Sequence, residues 1–85
     1  MKKESQQYCR IYWDYYGPSA LGTARHFAVH LREWLKRQEF EPVLKALAVE
    51  EKSKHHAFVS CDLPMDIGEL TYRSLKAHRA EVISS

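Results

Sequence analysis

The sequence predicts a small α+β fold of two layers, an antiparallel sheet with two helices on one face. Three observations carry this reading. Tyr8–Tyr16 and His55–Leu63 are rich in aromatic and β-branched residues and alternate with period two. Between them, Leu21 to Leu35 repeats apolar residues at three- and four-residue intervals, the signature of an amphipathic helix. The chain has 85 residues, 45% hydrophobic and 28% charged, which is single-domain length with the composition of an ordinary globular protein.

Residues 1–7 are polar and without periodicity, so they read as a disordered leader ahead of a single α+β domain over 8–85. In the first strand, YCRIYWDYY, parity sorts Cys9, Ile11 and Trp13 toward a core. Tyr8, Arg10, Tyr12 and Asp14 fall on the other face. Gly17-Pro18 closes the run. The helix that follows carries Leu21, Ala24, Phe27, Ala28, Leu31, Trp34 and Leu35 as one stripe, with Ser19 or Thr23 available to cap it. Lys36 and Arg37 suit the negative end of its dipole.

Glu39-Phe40-Glu41-Pro42 breaks the pattern, and Val43–Glu51 reads as a strand, although its leucines and alanines also suit a helix. Glu51–Lys54 is expected to connect it to the next strand, His55–Leu63. There Ala57, Val59 and Cys61 face inward, and His56, Phe58, Ser60 and Asp62 face outward. Pro64 ends that strand, and Asp66-Ile67-Gly68-Glu69 has capping-box spacing. The second helix has a thinner stripe of Ile67, Leu70, Thr71, Ser74 and Leu75. The tail Ala80–Ser84 supplies an edge strand. The order is βαββαβ, so the predicted architecture is a ferredoxin-like two-layer sandwich with its first and third strands central.

Composition narrows the function. A net charge of +2 is too small for a mainly electrostatic nucleic-acid binder. Two cysteines make no secreted disulfide framework, and they point to a reducing, cytoplasmic setting. The longest aliphatic run, Ala46 to Val49, is far short of a membrane span. Glycine-rich phosphate loops, nucleophile elbows and paired-cysteine metal motifs are missing from the chain, so no cofactor is expected.

The open face of the sheet, carrying Tyr8, Arg10, Tyr12, Asp14, His56 and Phe58, is the first candidate surface. Lys54-His55-His56-Ala57-Phe58-Val59-Ser60-Cys61 resembles the octapeptide of RNA recognition motif domains, and Ile11-Tyr12-Trp13 resembles the start of that family's companion motif. The resemblance implies base stacking on Tyr12, His56 and Phe58, with Arg10, Lys52 and Lys54 contacting phosphates. The sequence departs from the pattern at His55, where glycine is usual, and at His56 and Cys61, which replace aromatic rings. Tyr15-Tyr16 also stands where Asn-Leu is usual. Aligned this way, Tyr12 faces Phe58, Cys9 faces Cys61 as a reduced core pair, and Asp14 faces His56.

His26 and His30, four apart on the first helix, are the candidate metal ligands. The reading that results is a non-catalytic binding module whose open face meets a protein partner or a second copy. A single-stranded RNA or DNA binder is the alternative, and a small enzyme with an Asp14/His56 acid–base pair is a second one.

Overall fold

The computed structural model describes residues 7–38 and 47–83. Residues 1–6 of the predicted leader, the break at 39–42, residues 43–46 of the second predicted strand and Ser84 lie outside these. The elements are β1 (Tyr8–Tyr16), α1 (Ala20–Arg37), β2 (Leu47–Ser53), β3 (His56–Pro64), α2 (Met65–Ser74) and β4 (Arg79–Ile83). The strands form one four-stranded antiparallel sheet in the order β2-β3-β1-β4. The architecture is therefore α+β, with an open antiparallel sheet and two helices.

Parity decides the two faces of the sheet. Cys9, Ile11 and Trp13 of β1 and Ala57, Val59, Cys61 and Leu63 of β3 form one buried core with Ala20, Ala24, Leu31 and Leu35 of α1. Leu21, Phe27, Ala28 and Trp34 flank this core. The second helix packs through its smallest residues. A Cβ at Gly68 would collide with Cys9 Sγ and lie 3.6 Å from Ile11 Cδ1, so the missing side chain is what lets α2 approach β1. Next to it, Thr71 is fully buried, its hydroxyl returned to the Ile67 carbonyl at 2.8 Å. Leu70 and Ser74, expected on the inner stripe, are exposed.

The β1–β3 register departs from expectation by two residues. Tyr12 pairs with Ser60, Asp14 with Phe58 and Tyr16 with His56. Pairing runs to the last residue of β1, and the Gly17 amide continues it by donating to the His55 carbonyl at 2.9 Å. Gly17 holds φ +108, where a side chain would be strained, so the turn into α1 fixes the register at this end. Cys9 consequently faces Leu63, and Cys61 faces Ile11. Both thiols are buried and free, set diagonally rather than opposite each other.

Three local expectations are also corrected. Glu51–Ser53 belong to β2, with a bulge between Glu51 and Ser53, and the connection is the two-residue turn Lys54-His55. No capping box forms, because Pro64 passes directly from β3 into α2 and places Asp66 inside the first turn, where its Oδ1 accepts from the Ile67 amide. Ser19 is the N-cap residue of α1, yet its side chain makes no capping hydrogen bond. After α2, Lys76 takes a left-handed conformation at φ 53, and the Ala77 amide donates to the Tyr72 carbonyl at 3.1 Å. This is the helix-ending motif that usually employs glycine.

Candidate functional site

The face of the sheet away from the helices carries the even-numbered residues of β1 and β3. Pairing with β4 adds Arg79 beside Tyr12, Glu81 beside Arg10 and Ile83 beside Tyr8. Pairing with β2 adds Ala48 and Glu50. Among the described residues no helix packs on this face, since both helices lie on the buried set.

At one end of the face stands an Asp14-centred cluster. Arg79 grips the carboxylate in bidentate fashion, Nε donating to Oδ2 at 2.7 Å and Nη2 to Oδ1 at 2.9 Å. His56 Nε2 lies 3.0 Å from Oδ1 and donates to it, because an ionised carboxylate only accepts. The Asp14 side chain is 8% exposed, and the Arg79 guanidinium beside it holds its carboxyl down at about 2. The Asp14 amide donates to His78 Nδ1 at 2.8 Å, so this nitrogen carries its lone pair and any ring proton sits on Nε2. Asp14, Tyr16, Lys52, His56, His78 and Arg79 together line an open recess of about 650 Å³.

A second cluster lies further along the strands. Arg10 donates to Asp62 through Nε at 2.6 Å and Nη2 at 2.9 Å, and this pairing raises its already high pKa. The Tyr12 hydroxyl donates to Glu81 Oε2 at 2.6 Å, which pushes the phenol upward because the carboxylate favours its protonated form.

The predicted stacking residues do gather, although diagonally. Tyr12 and Phe58 meet edge to face with centroids 5.7 Å apart, and His56 lies 6.2 Å from Phe58. All three rings already have a partner on the face, and for Phe58 it is the Arg79 guanidinium, 5.9 Å from the ring centroid. Arg79 sits 4.1 Å above the Tyr12 ring, a cation–π contact. Tyr16 stacks on His56 at 4.5 Å with planes 18° apart. Lys52 borders the recess, while Lys54 stands in the exposed β2–β3 turn. Tyr8 is half-buried at the far end of β1.

Sequence reasoning missed Arg79, Glu81, His78 and Tyr16. The first two become visible once the tail is placed beside β1, because a cation and a carboxylate then fall opposite Tyr12 and Arg10. His78 carried no signal at all. Chemically, the Asp14 cluster can orient an imidazole and offer an NH to a ligand. Asp14 itself, saturated by Arg79 and held as a carboxylate, is a weak proton acceptor.

Comparison with protein families, with curated proteins and with solved structures finds no match to this chain. No helix among the described residues is long and apolar enough to cross a membrane.

Proposed function

We propose that the chain is a ferredoxin-like, non-catalytic binding module, cytoplasmic in setting, whose open sheet face engages another protein chain, in the simplest assembly a second copy. The observation that carries this reading is a face on which no helix packs among the described residues and whose two arginines are paired with carboxylates within it. Arg10, Lys52 and Arg79 share the face with Asp14, Glu50, Asp62 and Glu81. Arg10 and Arg79 are each committed to a carboxylate, so a polyanion gains little by neutralising phosphates here. A mixed surface of aromatic rings and paired charges suits a protein interface. Tyr16, 73% exposed and supported from below by His56, is its aromatic anchor.

Sedimentation velocity over a wide concentration range tests the assembly. Self-association that Tyr16→Asp weakens is the expected result, and a strict monomer throughout refutes the two-copy form.

A single-stranded RNA or DNA binder is the second reading, favoured by the grouping of Tyr12, His56 and Phe58. It requires Arg79 and Tyr16 to yield their stacking positions to bases. Titrating labelled single-stranded RNA at two salt concentrations decides the matter, because absence of binding at low salt excludes it.

A further inference from the structure

The Asp14 network does not involve the outer side of α1, where His26 and His30 are both exposed. Their spacing of four places the side chains one above the other on a helix. The Nε2 atoms are 3.1 Å apart, with ring planes inclined at 73°. At that distance the two nitrogens cannot both carry a proton without a clash, so at least one lone pair is directed into the gap.

The separation also matches that between two imidazoles on one metal ion. With metal–nitrogen bonds of about 2.05 Å, nitrogens are about 2.9 Å apart at a right angle and about 3.3 Å apart at the tetrahedral angle. The observed 3.1 Å therefore corresponds to an angle of about 98° at the ion. Small rotations of the two exposed side chains turn both lone pairs toward one ion, which then replaces the contact between the rings.

The geometry points to a two-imidazole site for a divalent transition-metal ion, Zn(II), Ni(II) or Cu(II), on the exposed face of α1. Imidazole suits these borderline ions, and Mg(II) or Ca(II) would prefer oxygen ligands. No group of three or more His, Cys, Asp or Glu able to hold a metal occurs among the described residues. Water completes the coordination, and the site remains open to a further ligand. Its affinity rests on the chelate effect, since each imidazole holds the ion within reach of the other. Of the competing ligands, His55 is a single exposed ring in the β2–β3 turn, and the others are engaged or buried. His56 is engaged by Asp14 and His78 by the Asp14 amide, while Cys9 and Cys61 are buried thiols.

The full chain is titrated with ZnCl₂ and the five histidine rings are followed by NMR, with NiCl₂ calorimetry in parallel. The ring signals of His26 and His30 are expected to move together and first, at one ion per chain. His26→Gln and His30→Gln should each weaken binding at least about tenfold by removing one arm of the chelate. Both side chains are exposed, so the far-UV circular dichroism and urea midpoint should stay unchanged, which separates loss of a ligand from loss of the fold. Wild-type affinity in either variant overturns the assignment. So does earlier movement of His55, His56 or His78, or no response of His26 and His30 at about 1 mM metal.

Discussion

Replacing Asp14 by asparagine removes one negative charge and leaves the shape of the side chain. In the folded protein its carboxyl sits at about 2, against an ordinary 3.8. Each pKa unit corresponds to about 1.4 kcal/mol, so the ionised form contributes about 2.5 kcal/mol at most. Arg79, its main partner, is 49% exposed, and solvent screening reduces the expected loss to about 1–2 kcal/mol. The pH dependence has a definite sign. A carboxyl depressed in the folded state stabilises fully above its unfolded value, and that contribution fades as pH falls from about 4 toward 2. Urea unfolding of wild type and Asp14→Asn should therefore differ at pH 7 and converge as the acid limit is approached. The wild type loses an advantage that the variant never had. Equal stability at pH 7, or a gap independent of pH, would refute the claim that the Asp14–Arg79–His56 cluster is held together by the carboxylate charge.

Two further outcomes are expected. Gly68→Ala should destabilise by about 1–3 kcal/mol, although alanine is the better helix former by about 1 kcal/mol. Its methyl meets Cys9 Sγ, so Cys9→Ala should restore much of the loss, and a stabilised single variant would contradict the close packing of α2 on β1. Cys61 is fully buried with its thiol pushed up to about 12, and burial also raises Cys9. Neither should react with a thiol reagent before the chain unfolds, and prompt labelling of the native protein would show that the sheet's buried face opens readily.

The inward and outward sets of β1 and β3 were legible because a half-buried strand writes its environment in alternate residues. Register was not, since parity is unchanged by a two-residue slip and only the Gly17 turn distinguishes the alternatives. The outer end of β2 was hidden for a related reason. Lys52 and Ser53 lie in an edge strand with exposed side chains, so no apolar alternation marks them, and a charged edge looks like a loop. Glu69 mimicked a capping box because composition cannot show that Pro64 enters the helix directly. The candidate face was visible in its aromatic half, through Tyr12, His56 and Phe58. Its organising half arrives from Arg79 and Glu81, whose meaning depends on which strand they lie beside.

The central position of β1 has a consequence for how the molecule is made. Its neighbours on both sides come from much later in the chain: Asp14 meets His56 across 42 positions and Arg79 across 65. Long loops must close before these contacts form, and topologies rich in such contacts fold more slowly than local ones. As the chain emerges during synthesis, β1 has neither hydrogen-bonding neighbour for most of the time, and Tyr8–Tyr16 is an aromatic strand with two open edges. The same segment that ends at the centre of the sheet is thus the one most exposed to mispairing beforehand.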